Sequence, residues 1–316
     1  MPSLTFSNGL KMPIIGLGTA DSSEGECRTA VFNALDAGYR SIDTAYSYGT
    51  EKSIGKALQE YFKDHDLKRS DLFLTTKLPR NFNRPEDVEK CLKEELEALQ
   101  TDYVDLYLVH HPIASTPDKE DHDTSVLPEH TWNAMEQVYH KGLAKSIGVS
   151  NFNEQQMKDV LQTAEVPIQD AQFECHLYFQ QPELVKFCQS NNIAITAYAP
   201  IGSQIHITEE KEDCRETKEG VLNPLEDKYA KSLAEKYNKT VAQILLRHAI
   251  QRGIAVIPKS KNPERIRQNF DVFDFELTSE EMEKLNGRDG GHRIFMQEQY
   301  EGHPQDPWDQ ERQNGA

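Results

Sequence analysis

Eight times along this chain, a short run of apolar, strand-forming residues gives way to an amphipathic stretch with helical spacing. The runs are IIGLG (14–18), SIDTA (41–45), LFLTTKL (72–78), VDLYLVHH (104–111), SIGVSN (146–151), DAQFEC (170–175), IAITAYAP (193–200) and IAVIPKS (254–260). Most are separated by about one βα unit of ~30 residues. Several are apolar on consecutive residues, the pattern of strands covered by helices on both faces. Helical segments lie between them, such as 24–37, 85–99, 128–141 and 153–161. Asn153 with Gln156, and Thr278 with Glu281, have the spacing of capping boxes. Eight such units predict an α/β chain, a single (β/α)8 TIM barrel over residues 1–316. An open doubly wound sheet is the alternative. Against it, GLGTADSS lacks the third glycine of a dinucleotide-binding fingerprint.

Other segments break the repeat. LTFSNGLKMP places Asn8-Gly9 between short β-type runs, which predicts an N-terminal hairpin with a tight primed turn. Residues 225–253 read as two extra helices joined near Asn238. Residues 112–128, 203–224 and the tail from Gly290 are polar and without period, so they predict long loops. Loops of that length in a compact domain usually carry function. The first two follow the fourth and seventh strands, which puts them over the C-terminal mouth of a barrel.

With 52 acidic and 35 basic residues the net charge is −17. That argues against nucleic acid or an anionic membrane as the main partner. It does not exclude a local basic pocket. The five cysteines (Cys27, Cys91, Cys175, Cys188 and Cys214) form no C-x-x-C pair and read as free thiols of a reducing compartment. The first residues show no secretory pattern, and no run is apolar for long enough to span a bilayer. The expectation is a cytoplasmic monomer with a small-molecule partner and no metal.

Three polar residues end consecutive strands: Asp43, Lys77 and His110. Tyr48 lies in the turn after the first of them. Neighbouring strands are ~4.8 Å apart, so the four side chains can converge. A free tyrosine titrates near ~10 and is a poor acid at neutral pH. Two unit charges ~4 Å apart interact by about 4 kcal/mol at an effective dielectric of ~20. Lys77 is therefore expected to lower the Tyr48 pKa, with Asp43 holding Lys77 charged. His110 could donate to a carbonyl oxygen. The set suits polarising a carbonyl and protonating the resulting alkoxide. Each residue alone has a plainer reading as a cap, a snorkelling lysine, a packing aromatic or a core histidine. Their coincidence at adjacent strand ends favours the site. Two rivals use similar parts. A Schiff-base lysine must be neutral, and Asp43 opposes that. A His110-His111 metal pair needs both rings on one side, whereas successive strand residues alternate faces.

The eighth run continues as IPKSKNPERIRQNF (257–270). Lys259, Ser260 and Asn262 lead into a helix carrying Arg265, Gln268 and Asn269. Barrel phosphate sites often lie after the last two strands, at a helix N-terminus.

With GYRSIDTAYSYGTE (38–51) and IPKSKNPERIRQNF as signatures, the chain resembles the aldo-keto reductase superfamily over essentially its whole length. Asp43, Tyr48, Lys77 and His110 match that family's catalytic tetrad. The resemblance implies an NADPH/NADP+-dependent reductase of aldehydes and ketones. In it Tyr48 is the general acid and His110 orients the carbonyl. It also implies that Ser150, Asn151 and Gln172 hold the nicotinamide carboxamide and that the ring stacks on Tyr198. Ser203 matches a pyrophosphate contact. Lys259, Ser260 and Arg265 match an adenosine 2′-phosphate site, and Gln268 and Asn269 adenine contacts. Thr19, Asp43 and Asn262 complete the implied cofactor set. On the substrate side, many relatives have Trp where this chain has Ala20 and His111. Each Trp can bury about 150–250 Å², so their loss predicts a wider pocket for longer or bulkier apolar carbonyls. Phe295, Tyr300 and Trp308 lie in the tail, which sets specificity in relatives. The contrasting reading is a cofactor-binding barrel with a structural role and negligible turnover.

Overall fold

A computed structural model describes residues 2–118, 121–203 and 223–313. An antiparallel hairpin, β1 (Ser3–Thr5) and β2 (Lys11–Pro13), comes first. Eight parallel strands follow: β3 (Leu17–Gly18), β4 (Ser41–Asp43), β5 (Phe73–Leu78), β6 (Leu106–Val109), β7 (Ile147–Ser150), β8 (Asp170–Glu174), β9 (Ala194–Tyr198) and β10 (Ala255–Val256). They lie side by side in chain order. Bridges Ile15↔Val256 and Gly18↔Lys259 join the last strand to the first and close the barrel. Every predicted run supplies one strand.

The closing strands are shorter than their apolar runs. Pro258 has no N–H to continue the ladder, although its carbonyl accepts from Gly18 N at 3.3 Å. Gly18 has no room for a side chain there, because a Cβ would meet the Ile257 carbonyl oxygen at 2.6 Å. Every residue of β5, β6, β7 and β8 is buried. That is why these runs read as continuously apolar: the barrel interior takes one face and the helices take the other.

The covering helices begin where the caps predict. Asn153 Oδ1 accepts from Gln156 N at 2.9 Å, and Gln156 Oε1 accepts from Asn153 N at 3.0 Å. Thr278 and Glu281 repeat the pattern. Asn238, at φ 53°, ends the extra helix Lys228–Tyr237 before Val241–Gln251 begins.

The N-terminal turn departs from expectation. A primed turn centred on Asn8-Gly9 needs positive φ at Asn8, the first central residue, and only Gly9 has it, at 85°. Gly9 N donates to Phe6 O at 2.9 Å within a wider loop, which frees the Asn8 side chain. Asn8 donates to Lys145 O and Ser146 Oγ, both at 3.0 Å, and Phe6 meets Phe73 edge to face. These contacts lie at the N-terminal ends of strands, so the hairpin plugs the barrel floor.

The mouth faces the other way. The predicted loop after β9 falls almost wholly on residues 204–222, which with Cys214 lie outside the described residues. Residues 119–120 of the loop after β6 lie outside them too. The described tail runs back over the strand ends, where Tyr300 and Trp308 pack with Ile113. The four described cysteines are unpaired and buried. Among the described residues no helix is long and apolar enough to cross a membrane.

Candidate active site

β4 delivers Asp43, β5 delivers Lys77, and His110 follows the last residue of β6. Tyr48 ends a single 3-10 turn, Tyr46–Tyr48, that doubles back over the mouth. The four side chains meet. Lys77 is fully buried, and its Nζ lies 2.5 Å from Asp43 Oδ1. It also donates to Thr44 O at 2.9 Å and to Tyr48 Oη at 3.3 Å. The Tyr48 and His110 rings sit edge to face with centroids 5.7 Å apart.

Burial alone would depress Lys77. Asp43 and Tyr48 outweigh it, so the ammonium is held above the usual lysine value. That leaves no neutral amine for a Schiff base. Tyr48 moves opposite to the sequence expectation. It keeps a water-facing side but stands in a deep, crowded cleft, and that crowding raises its phenol above the ordinary value. Lys77 pulls it down, while Asp43 pushes it back up. Desolvation, which depends on the packed surroundings and not on the neighbouring charge, outweighs the lysine. His110 is pushed well below the usual imidazole range by burial, then by His111 and Lys77. It is therefore neutral, with Ser47 Oγ 3.5 Å from its Nδ1.

The alternation expected for His110 and His111 also fails. Their rings stack, 4.7 Å apart and 18° from parallel, because β6 ends at Val109 and the chain twists away. Stacked rings do not converge on one ion. Burial, Arg80 and Lys77 push His111 down to about 3. Its far side meets Tyr300 edge to face at 5.1 Å, so tail packing covers part of the space that the sequence left open.

Around this group lie the other predicted residues. Thr19 Oγ1 donates to Asp43 O at 2.8 Å. Gln172 Nε2, from β8, donates to Asp43 Oδ2 at 2.9 Å and so joins the tetrad across the barrel. Asn151 donates to His110 O and accepts from the Tyr198 hydroxyl at 2.8 Å. Ser150 Oγ is 3.2 Å from Asn151 Nδ2. Asn151 (φ 61°) and Ala199 (φ 48°) are both left-handed just past their strands. That conformation is strained for alanine, and such strain clusters at functional sites.

A second group forms where β10 meets β3. Lys259 Nζ donates to Asp21 O at 3.0 Å. Asn262 caps the helix Pro263–Phe270, its Oδ1 accepting from Glu264 N and Arg265 N. Asn262 N donates to Ser260 Oγ at 3.2 Å. Arg265 is exposed, Gln268 donates to Glu264, and Asn269 is buried. Ala20 is half-buried, and Ser203 is the last residue before the undescribed stretch.

Sequence reasoning missed two buried carboxyls of β8. Asp170 and Glu174 share a strand face with Gln172, and both are fully buried. Polar residues at every second position of an otherwise apolar strand were the available signal.

Known proteins are similar to this chain in sequence and in fold. Residues 14–289 fit the family model for the aldo/keto reductase family. Aldo-keto reductase family 1 member A1 of Gallus gallus is 44% identical, covering 92% of this chain and 89% of its own. The Homo sapiens counterpart is 43% identical, over 91% of this chain and 89% of its own. Among solved structures, the aldose reductase of Schistosoma japonicum superposes with a TM-score of 0.89 at 38% identity, covering 98% of this chain and 100% of its own. A Bombyx mori aldo-keto reductase in complex with NADP gives 0.88 at 37% identity, with 97% and 98% covered. A closed eightfold barrel, four converging polar side chains at its mouth and these likenesses agree: the chain belongs to the aldo/keto reductase family.

Proposed function

We propose that this protein reduces aldehydes and ketones to alcohols with NADPH, Tyr48 serving as the general acid. One observation carries the reading. A buried, charged Lys77 touches both Asp43 and the Tyr48 hydroxyl, at 2.5 and 3.3 Å, at the barrel mouth.

The residues fit the cofactor. Asn262 already occupies the amides of Glu264 and Arg265. A 2′-phosphate there would be met by the Lys259, Ser260 and Arg265 side chains. Gln268 and Asn269 would face the adenine, and Ser203 the pyrophosphate. Ser150, Asn151 and Gln172 would hold the nicotinamide amide. Tyr198, its hydroxyl tied to Asn151, would present a fixed ring face beneath the nicotinamide. Bound there, the cofactor supplies a hydride to the carbonyl carbon.

The chain's own groups handle the oxygen. Neutral His110 donates a hydrogen bond to it and orients the carbonyl. Tyr48, raised above its usual pKa, is fully protonated at neutral pH, as an acid must be. As charge develops on the oxygen, the Tyr48 Oη proton moves to it. The Lys77 ammonium stabilises the phenolate left behind, and Asp43 keeps the ammonium in place. His111 and Ala20 border the substrate, and the reading favours bulky or long-chain apolar carbonyls.

Loss of NADPH absorbance with propanal and with decanal tests the activity. Tight NADPH binding without turnover would instead favour a structural role. Tyr48→Phe should lower kcat at least ~10²-fold, the low end for general acid catalysis, with NADPH affinity nearly unchanged. Retained activity in that variant removes Tyr48 from the role.

A further inference from the structure

The buried carboxylate of Glu174 grips the tail. Its Oε1 accepts from Ile294 N at 2.6 Å, and its Oε2 accepts from Phe295 N at 3.0 Å. His176 Nε2 lies 2.9 Å from Oε1, and Arg293 NH1 lies 4.0 Å from Oε2. Burial alone would raise Glu174. His176, Arg293 and the Ile294 N–H bring it below the usual carboxylate range, so it is charged. Charge-assisted bonds to backbone N–H groups are roughly twice as strong as neutral ones.

What is gripped matters as much. Glu174 is the register partner of Tyr198 on the neighbouring strand. Phe295, the residue whose N–H it holds, meets the Tyr198 ring edge to face at 5.7 Å. Arg293 extends the clamp. Both its Nε and NH2 donate to Glu311 at 2.7 Å. Its guanidinium lies 4.4 Å from the Phe179 ring centroid and 4.7 Å from that of Trp308. One carboxylate thus ties the strand end that carries Tyr198 to the segment that roofs it. Tyr48, Lys77 and His110 make none of these contacts.

We propose that Glu174 is a positioning residue that fixes Phe295 over Tyr198 and thereby sets the preference for long apolar carbonyls. This rests on the reading above that Tyr198 supports the nicotinamide ring. Phe295 then forms an apolar wall beside the reacting centre. A short aldehyde reaches that centre without touching the wall, whereas a long chain must lie against it.

The test uses Glu174→Gln and Phe295→Ala in the full chain. In Glu174→Gln one backbone N–H loses its acceptor and meets an NH2 group instead. Losing a bond to a charged group should lower kcat/KM for decanal about tenfold, carried mainly by KM. The propanal value should change by less than about threefold, because no transition-state contact is removed. Phe295→Ala keeps the grip and removes the wall, so it should lower the decanal-to-propanal ratio in the same way. Brief trypsin treatment reads the tail without any activity. The Arg293 side chain is almost fully buried in the native chain, and Arg293 should become a cleavage site in Glu174→Gln. An unchanged aldehyde ratio in Phe295→Ala, or a tail equally resistant in a folded Glu174→Gln, overturns the proposal. If Glu174→Gln does not fold, Glu174→Asp, which keeps the charge but draws it back from the Ile294 and Phe295 N–H groups, takes its place in both assays. A native chain inactive on both aldehydes refutes the reductase reading itself, whatever the tail does.

Discussion

Replacing Lys77 with Met keeps an unbranched side chain in the barrel and deletes only its charge and donors. Asp43 then keeps one side-chain donor, Gln172 Nε2 at 2.9 Å. Breaking a buried ion pair by removing one partner costs about 3–5 kcal/mol. Adding Asp43→Asn to the same chain removes the stranded charge, so most of that loss should return. Catalysis should not follow. At the observed 3.3 Å from Lys77 Nζ to Tyr48 Oη, Coulomb's law at an effective dielectric of ~20 gives about 5 kcal/mol between ammonium and phenolate. Tyr48 keeps a water-facing side, and screening leaves about half of that. The remaining ~2–3 kcal/mol corresponds to a fall of about 10²-fold in kcat. Urea unfolding followed by circular dichroism reads the first quantity, and NADPH oxidation with propanal reads the second. The expected result is a double variant that is stable and still slow. Activity recovering together with stability would mean that Lys77 serves the fold alone and does not act on the phenol.

Asp170 offers a pH test. Burial, with a push from Asp43 and against a pull from Thr196, raises its carboxyl to about 8. The folded chain keeps a proton that the unfolded chain releases above about pH 3.9, so stability falls as pH rises from there toward 8. Asp170→Asn should remove that slope and gain on the native chain by at most about 5 kcal/mol at pH 8.5 relative to pH 4. Urea midpoints differing by a constant amount at both pH values would refute it. Gly55→Ala should lower Tm despite a helix-propensity gain of about 1 kcal/mol. The new Cβ would meet Ala98 O at 2.4 Å, and overpacking costs about 1–3 kcal/mol; a raised Tm would contradict this. Arg265→Ala should weaken NADPH binding about tenfold, for the loss of a bond to a charged group, and leave NADH binding unchanged. Equal losses for both nucleotides in a fluorescence titration would remove the 2′-phosphate role.

Much of this molecule is local and therefore legible in its sequence. Strand count, helix caps and the Asn238 break follow from periodicities and side-chain preferences that act within a few residues. Asp43, Lys77 and His110 could be grouped because consecutive barrel strands are neighbours, so order along the chain becomes order in space. Other features depend on what surrounds a group. Lys77 pulls the Tyr48 pKa down, yet desolvation by burial prevails. His110 and His111 stack because the strand ends at Val109, two residues before the end of the 104–111 run. The Glu174 grip joins positions 120 residues apart, and the Gln172–Asp43 bond spans 129. No local pattern encodes such pairs; closure of the barrel and the path of the tail bring them together. Short-range hydrogen bonding and apolar spacing wrote the barrel, its three polar strand-end groups and the turn that carries Tyr48 into the sequence. Burial, fields and long-range contacts, which are sums over the whole packed molecule, were decided by the tertiary structure alone.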